Sequence, residues 1–105
     1  MVICQFIFKP GTYDDEFFSL DAQIDTYAKA LPGYRGIDIW YSDDRTIKNA
    51  SYSFESMADV KALATYPQHL EAKGKNARWY DGYRIIISEV IREYGDGRLP
   101  SGVGA

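Results

Sequence analysis

The chain has a single cysteine and a single histidine among its 105 residues. One thiol excludes an internal disulfide, and because Cys4 lies in an apolar run that reads as strand, a buried thiol in a reducing cytoplasm is expected. One imidazole without a second cysteine leaves too few ligands for a transition-metal site, and no Cys-x-x-Cys or His-x-x-x-His spacing supports structural zinc. Positive charge is also scarce. The formal net charge is −3, and the basic residues are scattered, which argues against a nucleic-acid surface. No apolar run approaches the ~18 residues of a membrane span, and the start MVICQFIFKP has neither the basic head nor the cleavage site of a signal peptide, so a soluble, unprocessed chain is expected. Gly-x-Ser-x-Gly and P-loop patterns are missing too, which leaves hydrolase and nucleotide-binding readings without support.

What is abundant is aromatic surface. Hydrophobic residues make up 46% and aromatics 15% of the chain, which excludes general disorder, and the length suits one domain that pairing with a second copy would help to stabilise. The densest stretch is YPQHLEAKGKNARWYDGY, residues 66–83. His69, Ala72, Lys73 and Asn76 recur at helical spacing after Pro67, which suits a first helical turn, so the imidazole, ammonium and amide share one face. Trp79 and Tyr80 follow directly, ahead of an expected turn at Asp81-Gly82. Together these groups make a plausible rim for a small-molecule pocket; the plainer reading is a structural histidine beside a core Trp-Tyr pair.

Taken in order, residues 2–9 form a strand apolar on both faces, with Gln5 an amide in need of a partner. Thr12 and Asp15 suggest a helix cap, and Phe17, Leu20, Ile24, Tyr27, Ala28 and Leu31 form one apolar stripe at helical period. Pro32-Gly33 ends that helix. Residues 36–41 and 46–54 read as an antiparallel hairpin in which Asp38 and Trp40 share one face. On its second strand Asn49, Ser51 and Ser53 oppose Ala50, Tyr52 and Phe54; the latter set suits the helix-facing core, and the former suits solvent or a partly polar cavity. Ser56 with Asp59 opens a second helix over 57–65 that Pro67 restarts, and residues 83–94 read as the last strand. The stretch 95–105 is glycine-rich and without periodicity, a tail appended to a domain of residues 1–94. The order β-α-β-β-α-β is the ferredoxin-like split βαβ arrangement, an α+β fold with a four-stranded antiparallel sheet covered by helices on one face.

That order, with the LPGYRG turn, the WYSD strand end, the SYSFES junction and the segments PQHLEAK and RWYDGY, resembles the antibiotic biosynthesis monooxygenase-like family of dimeric α+β barrels over residues 2–94. The resemblance implies a homodimer with sheets face to face and a pocket between sheet and helices in each subunit. It also implies oxidation of a small phenolic, quinol or anthrone-like compound without metal, flavin or haem. The substrate anion itself then supplies the electron to oxygen. His69 is the expected catalytic base, since an unperturbed imidazole titrates near ~6.5 and a place in the first helical turn disfavours the imidazolium. Trp40, Asn49, Tyr52, Lys73, Trp79 and Tyr80 are the expected substrate-binding residues. A non-catalytic dimeric binder of small apolar molecules is the alternative. Haem degradation is the third reading, with His69 as iron ligand and Gln5 near the position of that group's strand-one asparagine.

Overall fold

The strand that is apolar on both faces is central in the sheet. β1 (Val2–Pro10) pairs antiparallel with β3 (Lys48–Phe54) on one side and with β4 (Tyr80–Glu89) on the other, and β2 (Tyr34–Tyr41) flanks β3, giving the order β2-β3-β1-β4. α1 (Asp15–Ala30) joins β1 to β2. The crossover from β3 to β4 is broken into α2 (Met57–Thr65), α3 (Pro67–Gly74) and the single turn α4 (Asn76–Trp79). This computed structural model describes residues 1–99, so part of the glycine-rich stretch 95–105 lies outside the described residues. The architecture is the ferredoxin-like α+β fold with a four-stranded antiparallel sheet.

Register decides what faces the helices. Val2, Cys4, Phe6 and Phe8 align with Phe54, Tyr52, Ala50 and Lys48 on β3, and Cys4, Phe6 and Phe8 with Ile87, Ile85 and Tyr83 on β4. With a period of two, these residues share the helix side. One core cluster on that side joins Val2 and Phe54 to Ala28, Val60 and Leu63. A second joins Phe17 and Leu20 of α1 to Trp79, with Tyr13, Ala72 and Tyr80 packed around them. Gln5, Ser51 and Asp38 lie in one row on the opposite face, and Ile7, Asn49 and Trp40 in the next.

Local chemistry explains the helix starts. α1 is capped by Asp14 rather than by Thr12: the Asp14 carboxylate accepts the Phe17 N–H at 2.8 Å and also the Trp79 indole N–H at 3.1 Å, a tertiary contact that fixes the starting residue. At α2 the expected Ser56 and Asp59 pairing forms, with the Ser56 N–H donating to Asp59 at 3.3 Å. The same buried carboxylate accepts the Gly33 N–H at 3.1 Å. A Cβ on residue 33 would stand 2.0 Å from an Asp59 oxygen, so only glycine fits that turn. β4 starts and stops earlier than residues 83–94 because β1 sets its span. Tyr80 and Gly82 pair with Pro10 and Lys9 where a turn was expected, and Glu89 is the last residue with a β1 partner.

Candidate functional site

The aromatic end of the helical layer is built around Trp79. Its ring is 1% exposed, held by the Asp14 bond and by its backbone carbonyl, which accepts the Gly11 N–H at 2.8 Å. Charges clasp the same junction from outside. Lys75 pairs with Glu16, and Arg78 with Asp14 at 3.2 Å and with Glu16 at 3.4 Å. The bond from the Phe17 N–H lowers the Asp14 carboxyl from its usual range, and the Lys75 ammonium lowers that of Glu16. Phe17 meets Trp79 edge-on with ring centroids 5.4 Å apart, and Tyr80 at 6.0 Å. Gaps remain among these rings.

One such gap is an inner cavity of about 30 Å³ bounded by α1, α3 and the start of β4. Phe17, Leu20, Ile24, Ala72, Trp79 and Tyr80 form its apolar wall, and Asp21 and Asn76 are its polar groups. That is room for a water or two, not for an aromatic ring. A wider, open cavity of about 350 Å³ lies beside it between α3, α4 and β4, lined by Lys73, Asn76, Asp81, Tyr80 and Tyr83 among others. Its size falls within the ~300–1,000 Å³ of small-molecule sites. Asn76 and Tyr80 line both, so the small, mostly apolar recess and the open cavity, most of whose lining is exposed, are neighbours.

Of the residues expected to bind substrate, Lys73, Trp79 and Tyr80 line this pair of cavities. Tyr52 is on the helix side but away from them, where its hydroxyl donates to Asp25 at 3.1 Å; burial pushes that phenol far above its ordinary pKa. Trp40 and Asn49 are not brought to the site. Register puts both on the sheet face turned away from the helices, where Asn49 donates to Gln5 at 2.9 Å and Trp40 is 53% exposed, so neither lines a pocket between sheet and helices. Gln5 thereby finds its partner across the sheet.

His69 is half-buried near the start of α3, one turn before Ala72, and does not line either cavity. Its Nδ1 is buried with no hydrogen-bond partner. The ring's pKa lies below the ordinary value chiefly because burial penalises the charged form; Lys73 one turn on adds to this, and the Ala64 backbone opposes it. The neutral imidazole is therefore favoured, with burial as the leading cause.

Sequence reading missed Asp21. The residue sits four after Phe17 and three before Ile24, so it shares their face of α1, and that spacing was the available signal. Among the described residues no three His, Cys, Asp or Glu side chains converge as metal ligands. No described helix is long and apolar enough to cross a membrane.

No protein-family model matches the chain, and no curated protein matches it. Solved structures do. A protein from Nitrosomonas europaea assigned as an antibiotic biosynthesis monooxygenase superposes with TM-score 0.65 at 19% identity, over 88% of this chain and 100% of its own. A variant of SnoaB, a cofactor-independent oxygenase from Streptomyces nogalater, gives 0.70 at 12% identity over 90% and 97%. A Deinococcus radiodurans protein assigned to the same monooxygenases gives 0.70 at 10% identity over 91% and 98%. At such identities the likeness establishes architecture and leaves chemistry to the site. The chain has the fold of the antibiotic biosynthesis monooxygenase-like proteins, as its sequence motifs suggest.

Proposed function

We propose that this chain is a cofactor-independent monooxygenase acting on a small phenolic, quinol or anthrone-like compound held between α3, α4 and β4. The observation that carries the reading is the open cavity with Tyr80 and Tyr83 in its lining, beside a recess whose lining includes one carboxylate and one amide. Flat aromatic side chains suit a flat apolar ring, and the lowered pKa of His69, which stands in α3 outside both cavity walls, leaves its imidazole in the form able to accept a proton. Likeness in fold to a cofactor-independent oxygenase supports the reaction class by analogy.

Oxygen uptake with an anthrone or a hydroquinone tests the reading. Turnover is expected in the wild-type chain, and His69→Ala is expected to lower it by ~100-fold or more while the chain stays folded. A wild-type rate in that variant removes His69 as the base. Absence of turnover alongside measurable binding favours the second reading, a non-catalytic binder, which gains weight from the position of His69 outside both cavity walls.

The proposal includes a homodimer formed through the open sheet face. Ile3, Ile7, Ile86 and Trp40 lie on that face, and Asp38 and Asn49 each keep one buried oxygen there without a hydrogen-bond partner. These large apolar side chains, set among Gln5, Ser51 and Asn49, would otherwise meet water. Light scattering at micromolar concentration is expected to give a dimer, and Ile86→Asp a folded monomer. A monomeric wild-type chain would sink the barrel.

A further inference from the structure

The open sheet face carries opposite charges at its two edges. Alternation puts Asp38 of β2 in one row with Ser51, Gln5 and Ile86, and Arg84 of β4 in the next row with Ile7, Asn49 and Trp40. Three strand spacings of about 4.8 Å separate β2 from β4, so the carboxylate and the guanidinium do not meet within one chain. Among the described residues of these rows the other ionic side chain is Lys9 of β1, opposite Gly82, and it lies on the Arg84 half. Asp38 is half-buried, and its Oδ1 is shielded from solvent without a hydrogen-bond partner among the described residues. That oxygen is an acceptor that neither water nor its own chain satisfies. Arg84 is exposed and stands outside the ion pairs of the described residues.

Two identical sheets stack face to face about a two-fold axis in one of two ways. An axis across the strands lays β4 on β4 and β2 on β2, which brings like charges together, Arg84 with Arg84 and Asp38 with Asp38. An axis along the strands lays β4 of one protomer over β2 of its partner and keeps the rows in step. Arg84 then faces Trp40 of the partner subunit and stands one row, roughly 7 Å along the strand, from Asp38 of the partner subunit. Resting on the face-to-face homodimer proposed above, we infer that the axis runs along the strands and that Arg84 of each protomer pairs with Asp38 of the partner subunit, twice by symmetry. A guanidinium lying over an indole keeps N–H groups for a carboxylate, and Trp40 is exposed for that contact. Each Asp38 Oδ1 thereby gains a charged donor. A second copy of this chain is the partner that fits, because it offers the donor opposite the edge where the acceptor is left over.

Sedimentation equilibrium of the full chain tests the inference. Arg84→Asp and Asp38→Arg each set like charges at both contacts, and each is expected to weaken self-association by ~100-fold or more. In an equimolar mixture of the two variants the mixed dimer has opposite charges at both contacts, so association is expected to return to within about tenfold of the wild type. If circular dichroism shows Asp38→Arg unfolded, Asp38→Asn and Arg84→Gln carry the test: each alone is expected to weaken the dimer, and the double variant no further than the larger single effect. Single variants with wild-type affinity, a mixture that does not recover, or additive losses in the double variant overturn the pair and leave the face-to-face dimer standing. A monomeric wild-type chain overturns the dimer and the pair together.

Discussion

The two ends of the helical layer are packed by different rules. At one end Val2, Phe54, Ala28, Val60 and Leu63 close on one another, with Phe54 and Ala28 fully buried. At the other end Phe17, Leu20 and Trp79 are just as well shielded, yet their neighbours Tyr13, Tyr80 and Ala72 leave a recess with a carboxylate in its wall. Both ends carry aromatic rings, Phe54 with Tyr34 and Tyr52 at the first and Phe17 with Trp79 and Tyr80 at the second, and it is at the second that the rings meet around a void. The first end is closed, and the second encloses a void beside an open cavity.

Truncation should separate the two ends most sharply. Phe54→Ala opens a cavity at a site with no slack and is expected to cost about 3–5 kcal/mol in urea unfolding. If it costs under 1 kcal/mol, the closed end is not the stabilising one. Gly33→Ala is next, at about 1–3 kcal/mol, because the added methyl meets the Asp59 carboxylate. Its thermal midpoint should fall, and a paired Gly33→Ala, Asp59→Ala change should recover part of the loss if the clash is the cause.

At the open end Asp14→Ala removes a helix cap and the partner of the Trp79 indole, for about 1–2 kcal/mol by thermal unfolding. It should also broaden the Trp79 indole resonance, which Phe54→Ala should leave sharp. The smallest effect concerns His69. Its folded pKa is depressed, so below pH ~6.5 the unfolded chain binds the proton first, and stability falls with pH toward the folded value while staying flat above. His69→Gln is expected to flatten that limb, and an unchanged profile between pH 6.5 and 5 would mean that the ring is not desolvated.

The sequence by itself determined the order of elements, the apolar stripe of α1 and the Ser56 and Asp59 cap, because periodicity and capping act over three or four residues and need no partner. It also separated Asn49 from Tyr52 by strand alternation. Patterning also turned Ala50, Tyr52 and Phe54 toward the helices, as the register has them; only the tertiary structure placed the cavities, and they lie on the helix side, away from Trp40 and Asn49. Boundaries followed the same division. Asp14 displaced Thr12 as the cap because Trp79, sixty-five positions along, shares its carboxylate, and β4 runs only as far as β1 offers partners. Asp21 was hidden for the converse reason. On a helix stripe a carboxylate reads as the solvated flank, which Asp21 still is, and only the packing of α3 and Tyr80 against α1 also makes it one edge of a cavity.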